Sequence, residues 1–290
     1  YWAYGMRSCV YFMDALKRLT GGTVDLFRHP RIRTNPASFA LFGLTGNFGD
    51  GTGAVVGSPH LLNKLVEETR DTDAAYYRST LLGPGADIFD IVWPRSAVEA
   101  VEPAVKSRHF RGIDWAVMRS GFDDPETVTV ATKAGLNDDP HHGHLDVGQV
   151  IVTWRGQAYV ADHGSGKYFY DEKYFDEVRW TYPVAGSEGH NLVFVDGEAQ
   201  RSAKYKDSPW SPGVGGKILE FRASPSRDYT LMDNAGAYAR THLKGWRRHV
   251  VLDKPVVTVL LDEVVSDPGA EIDPPDLFRS LPLSRVIGME

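Results

Sequence analysis

Two kinds of hydrophobic spacing divide the chain. In "YGMRSCVYFMDALKRLTGG" (4–22), Val10, Phe12, Met13, Leu16 and Leu19 recur at three- and four-residue steps and Gly21-Gly22 follow as a stop, which predicts an amphipathic helix. "SPHLLNKLVEETR" (58–70) predicts a second, with Ser58 as N-cap and Pro59 at the first helical position. Between them "NFGDGTGAVVG" (47–57) is glycine-rich but lacks the GK[ST] ending of a phosphate-binding loop, and reads as a flexible connector. From about residue 108 the period changes to two. "TVTVATK" (127–133), "QVIVTW" (149–154), "QAYVAD" (157–162), "NLVFVD" (191–196), "KILEFR" (217–222), "YTLMD" (229–233), "RRHVVL" (247–252) and "PVVTVLLDEV" (255–264) are short, Val- and Ile-rich runs between Gly, Pro and Asp. "WRGQ" (154–157) predicts a hairpin turn.

Strands following one another without helices imply antiparallel sheets, hence a sandwich or barrel. The expected organisation is α+β: helices over 1–80, a linker over 81–107 carrying Pro84, Pro94 and Pro103, and antiparallel sheet over 108–290. No internal repeat is visible.

Composition narrows the chemistry. A net charge of −6 over 290 residues, without blocks of like charge, argues against a general nucleic-acid binder. It leaves room for a local basic cleft that takes an acidic polymer. The single cysteine, Cys9, excludes an intrachain disulfide framework and a thiolate metal site, so any metal must be held by His and carboxylate. No stretch approaches the roughly 20 apolar residues of a membrane span, and no basic-then-apolar leader opens the chain. Because "YWAYGMRSC" begins without Met and already reads as folded helix, the expectation is a fragment or processed chain lacking upstream sequence.

The histidines supply the candidate chemistry. Five of the ten (141, 142, 144, 163 and 190) fall within 50 positions. "HHGHLDVGQ" (141–149) precedes a strand, Asp162 ends the next hairpin, and "GHN" (189–191) opens another strand. Strand ends distant in sequence meet at one rim of an antiparallel sheet, so His144, Asp162 and His190 are placed to converge there. Two imidazoles and a carboxylate form an ordinary zinc set. His163, next to Asp162, belongs to the opposite face if the segment stays extended. Two other readings stand beside this one. The histidines are surface residues and Asp162 caps the "DHGSG" turn, or His142-x-His144 followed by Gln149 imitates the first motif of cupin barrels, where Gln149 replaces the expected Glu.

"YWAYG" leading a helix, "MRSG" (118–121), "HHGHLDVGQ", "AYVADHGSGKY" (158–168), "GHNLVFVDG" (189–197) and "RRHVVLDKPVVTVLLDEV" (247–264) come in an order that resembles the heparinase II/III-like polysaccharide lyases, with the related alginate and oligo-alginate lyases. The resemblance implies an α/α toroid, of which 1–80 would be the last helices, followed by an antiparallel β-sandwich, with the active site in the cleft between. It implies β-elimination at a uronic acid, which needs a group to neutralise the C6 carboxylate, a base for the C5 proton and an acid for the leaving oxygen.

Carried over motif by motif, Tyr4 (with Tyr1 as fallback) and His142 would serve in proton transfer. A phenol with its ordinary pKa of about 10 needs neighbouring positive charge or hydrogen bonds to act as a base. His144, Asp162 and His190 would hold a structural zinc, with His141 a bystander. Arg119 of "MRSG" would offer the substrate carboxylate a bidentate contact. Tyr168, in the aromatic loop "GSGKYFYDEKYF" (164–175), would stack on sugar. The implied partner is an anionic polysaccharide or oligosaccharide, with no nucleic acid and no membrane insertion, and self-association left open. The implied location is periplasmic or extracellular. The family's toroid Asn and His have no convincing counterpart in 1–80, so this chain alone is expected to turn over poorly. Two alternatives remain: a non-catalytic carbohydrate-binding sandwich stapled by zinc, and a cupin-like metal oxidoreductase.

Overall fold

The computed structural model describes residues 2–34, 39, 41, 48–50, 58–85, 87–137, 142–163, 172–175, 177–201, 214–238 and 243–273. The chain is α+β, and its internal contacts divide it into two units: Tyr1–Leu44 with Ala54–Ala104, and Thr45–Gly53 with Val105–Glu290.

In the first unit, α1 (Trp2–Leu19) buries Val10, Met13 and Asp14. Phe12 and Leu19, placed on the apolar stripe by spacing, are exposed. The chain leaves α1 through backbone bonds from Gly21 to Arg18 and from Gly22 to Lys17. A short α2 (Pro30–Thr34) precedes α3 (Pro59–Thr69), which buries Leu61, Leu62, Leu65 and Val66 and ends on Arg70 in the left-handed region. Ser58 takes the N-cap position of α3 without a side-chain capping bond; Pro59, which has no N–H to satisfy, makes that tolerable. Asp14, Lys64, Glu68 and Lys17 form a chain of ion pairs between α1 and α3. Two further short helices of this unit are α4 (Thr72–Tyr76) and α5 (Phe89–Val92).

The proline-containing stretch read as a linker groups, through Ala104, with these helices. Trp93 is the reason: it is buried, stacks among Tyr11, His60 and Phe89, and donates to Asp14, while its carbonyl accepts from Asn63.

The second unit is built from antiparallel strands. One five-stranded sheet runs in the order β1 (Arg108–Phe110), β2 (Trp115–Arg119), β3 (Val128–Lys133), β5 (Val150–Trp154), β6 (Gln157–Val160). The other runs β11 (Val257–Ser266), β10 (Leu243–Asp253), β9 (Arg227–Asp233), β8 (Gly215–Ala223), β4 (Gly135–Leu136). A two-stranded ribbon pairs β7 (Phe194–Val195) with β12 (Ile272–Asp273). The β5–β6 turn is the predicted "WRGQ", with Arg155 and Gly156 both at positive φ as that tight connection requires.

The five-stranded sheets share one apolar core. Ala116, Met118, Val128, Val130 and Val150 from the first meet Ile218, Met232, Val250 and Leu252 from the second. Each fully buried aliphatic side chain here contributes roughly 1.5–3 kcal/mol. A second cluster (Val147, Leu192, Val193, Val195, Tyr238, Trp246) lies beneath the segments that carry the histidines. Among the described residues no helix is long and apolar enough to cross a membrane.

Candidate metal centre and adjoining histidine

The segment 142–149 is neither strand nor helix, yet Leu145–Gln149 is buried. A buried loop must find partners for its backbone polar groups, and here side chains provide them. Arg179 donates to the Gly143 carbonyl and Ser187 to that of Leu145. Gln200 clamps Val147, accepting from its N–H and donating to its carbonyl, and Arg248 donates to Gly148. Gly148, at φ +98°, sits against the Trp246 ring; a Cβ there would lie 2.5 Å from it, so the position admits glycine only.

Arg248 ties the assembly together. Its fully buried guanidinium grips Asp262 in a two-pronged ion pair and donates to the carbonyls of Gly148 and Asn191 and to the Asn191 side chain. The Asn191 side chain in turn bonds both backbone groups of Val150. The start of β5 and the residue after His190 are thereby pinned to β10.

On this frame the ring centroids of His144 and His190 lie 5.5 Å apart. Ligand atoms of His144, Asp146 and His190 all lie within 4.8 Å of one another, and all three residues are buried. His144 Nδ1, His190 Nε2 and Asp146 Oδ2 are buried without a hydrogen-bond partner. Such atoms are costly unless something else satisfies them. Asp162 reaches the group from the side of His190, its Oδ2 3.3 Å from His190 Nδ1, with both side chains buried. Zinc bonds of about 2.0–2.2 Å at the tetrahedral angle put neighbouring ligand atoms roughly 3.3–3.5 Å apart. The donor types and their burial suit a zinc ion, and a spacing within 4.8 Å is compatible with one, although Asp146 is shared: its Oδ1 takes the Lys133 ammonium.

Charge in the cluster follows from burial and its neighbours. Burial lowers the His144 pKa and outweighs the pull of Asp50. For His190 burial acts the same way but is overcome by Asp162 and Asp146, and the pKa rises.

Beside this cluster stands a residue that spacing did not single out. Asp50, in the loop read as a connector, has a fully buried side chain that gathers four donors. Oδ1 takes His144 Nε2 at 3.0 Å, the Tyr174 hydroxyl at 2.8 Å and the Arg179 guanidinium at 3.1 Å; Oδ2 takes His142 Nδ1 at 3.0 Å. Its backbone N–H donates to the His142 carbonyl. Gly49, at φ +63°, lets the two segments approach this closely, since a Cβ there would lie 2.4 Å from the His142 oxygen. Burial pushes the Asp50 carboxyl up, but the bonds from His144 and His142, the Arg179 charge and the Tyr174 hydroxyl hold it well below the usual range. Burial and the bond to Asp50 push the Tyr174 phenol the other way, above its ordinary value. Arg179, whose side chain is fully buried, lies 4.4 Å over the Tyr174 ring.

The residues singled out from the sequence fare differently. His142 keeps 35% of its side chain exposed, with one ring edge on Asp50. His144 and His190 come together, and Asp162 stands against His190. Tyr4 is 77% exposed on α1. Arg119 needs correcting: at 4% exposure, with its guanidinium over Phe122, it presents no fork to a carboxylate arriving from solvent. Tyr168, Tyr1 and His141 lie outside the described residues. The cupin-like reading is corrected as well. Residues 142–149 form no strand, and the Gln149 amide is used within the fold, accepting from Asn191 N–H and donating to the Ala161 carbonyl.

The family described as "Heparinase II/III-like, C-terminal" matches residues 102–279. A crystal structure of heparinase III aligns with a TM-score of 0.64 at 17% identity, over 92% of this chain and 39% of that one. The heparan sulfate lyase HepC from Pedobacter heparinus aligns with a TM-score of 0.48 at 15% identity, over 76% of this chain and 29% of its own. The chain thus spans well under half the length of either structure. No curated protein matches it.

Proposed function

The chain belongs to the heparinase II/III-like C-terminal family, and from that premise we propose that it is part of a lyase that cleaves a uronate-containing anionic polysaccharide by β-elimination. We read the two five-stranded sheets as the family's β-sandwich, the helices as the end of its toroid, and the site of action as periplasmic or extracellular. The observation that carries the reading is His142: a part-exposed imidazole held by one edge on a buried carboxylate, two residues from a buried set of zinc-type donors.

In the reaction, a base removes the C5 proton of the uronate. The released electron pair forms the C4–C5 double bond, the bond from C4 to the glycosidic oxygen breaks, and an acid protonates that oxygen. No water is consumed. His142 and Tyr4 share the base and acid roles in this reading. Tyr4 is open to substrate, and His142 is fixed by Asp50 so that its ring does not have to be oriented at the moment of proton transfer.

His144, His190 and Asp162 would hold zinc, with Asp146 as a further carboxylate whose donation Lys133 weakens. When bound, the zinc supplies a structural cross-link and a fixed positive charge among strand ends. The three buried segments that carry these residues then keep the His142 backbone in place.

Tyr4→Phe tests the reading. Proton transfer by a positioned side chain contributes about 10²–10⁴-fold, so formation of unsaturated uronate, followed by its ultraviolet absorbance, is expected to fall by that order with zinc content unchanged. A protein that binds the polymer but forms no unsaturated product, with or without Tyr4, even when joined to the helical domain of a full-length family member, would be a zinc-stapled binding module instead.

A further inference from the structure

Two imidazoles share one carboxylate in this site, and they do so through different ring nitrogens. His142 meets Asp50 Oδ2 through Nδ1, whereas His144 meets Asp50 Oδ1 through Nε2. A carboxylate only accepts, so each contact requires the proton on the nitrogen that faces it. The Asp50 carboxylate also takes the Arg179 guanidinium, buried with it at 3.1 Å.

We propose that Asp50 is a positioning residue that fixes opposite tautomers in the two histidines: Nδ1–H in His142, which leaves Nε2 as the nitrogen for proton transfer, and Nε2–H in His144, which leaves Nδ1 as the nitrogen for the metal cluster. Two observations support this. His144 Nδ1 is the nitrogen left buried without a hydrogen-bond partner. The carboxylate itself cannot swing, because Tyr174 and Arg179 also hold Oδ1, and the loop backbone is locked from Asp50 N–H to the His142 carbonyl. One buried side chain thereby sets both the metal ligand and the reactive imidazole. The proposal rests on the lyase reading for the role of His142 Nε2, but not for the tautomers.

Asp50→Asn gives the sharpest test. Oδ1 carries three donors and Oδ2 one, so the amide oxygen is expected to keep the Oδ1 position and the NH2 group to face His142. An NH2 group there forces His142 Nδ1 to become the acceptor and moves its proton to Nε2, while His144 keeps its tautomer. In long-range 15N–1H spectra of histidine-labelled protein, the wild type should show Nδ1–H for His142 and Nε2–H for His144. In Asp50→Asn only His142 should invert. Turnover should then fall by about 10–100-fold through kcat, with KM and zinc content unchanged.

A wild-type His142 protonated at Nε2, or a His142 tautomer unmoved by the substitution, overturns the proposal. Should Asp50→Asn fail to fold because Arg179 loses its counter-charge, the wild-type spectrum decides alone. The expected tautomers in a protein that forms no unsaturated uronate would uphold the positioning role and overturn the lyase reading.

Discussion

Replacing His142 with Gln is expected to lower β-elimination turnover by about 10²–10⁴-fold while leaving thermal stability and zinc content close to wild type. The separation of effects follows from where the side chain sits. One edge of the ring lies on Asp50 and 35% of the side chain remains exposed, so it contributes little to the core. The Gln amide can still donate to Asp50 Oδ2, which spares the buried pair of Asp50 and Arg179 from losing a partner. Glutamine cannot take up a proton near neutral pH, and only the chemistry suffers. The check is turnover by absorbance beside a melting curve and a metal assay on the same preparation. A variant as fast as wild type would remove His142 from the reaction.

The largest effect on stability is expected at Arg248. Arg248→Met keeps the buried stem but strips three hydrogen bonds from groups shut off from water, the carbonyls of Gly148 and Asn191 and the Asn191 side chain, and two from the Asp262 carboxylate, which is 17% exposed. Removing one member of a buried ion pair costs about 3–5 kcal/mol. In a unit of this size that corresponds to a fall in melting temperature on the order of 10 °C. Arg248→Lys should recover little, because a point ammonium cannot serve Asp262 in a fork and two carbonyls at once. Zinc affinity should fall together with stability, since Gly148 and Asn191 flank the segments that carry Asp146 and His190. A melting temperature within a degree or two of wild type would show that the network is dispensable.

How much of this was legible from the sequence depended on distance along the chain. Most strands expected after residue 108, and the "WRGQ" turn, follow from local alternation and turn chemistry and stand where expected, but of "NLVFVD" (191–196) only Phe194–Val195 is strand. That His144 and His190 come together was also legible, because "HGH" and "GHN" lie just before strands and strand ends meet at a rim. Asp50 was not. It lies 92 residues from His142, in a glycine-rich stretch whose composition signals flexibility; its burial depends on Arg179 and Tyr174, which arrive from yet another segment.

Asp146 lies inside the "HHGHLDVGQ" motif, yet spacing does not choose between it and Asp162, because that takes the positions of the two carboxylates in space. Arg119 looked like a carboxylate binder because periodicity cannot say which strand residues face the core. The stretch 81–107 read as a linker because prolines break helices, but Trp93 anchors it to the helical unit by burial, which propensity does not capture.

The account depends most on His144 and His190 sharing one ion. Zinc K-edge X-ray absorption on the purified, zinc-loaded chain measures this directly. The expected result is one zinc per chain with two imidazole nitrogens and carboxylate oxygen at about 2.0–2.2 Å, and loss of both imidazole signals when His190 is replaced by Ala. A chain that takes up no zinc, or zinc surrounded by water oxygens and indifferent to His190, would contradict it.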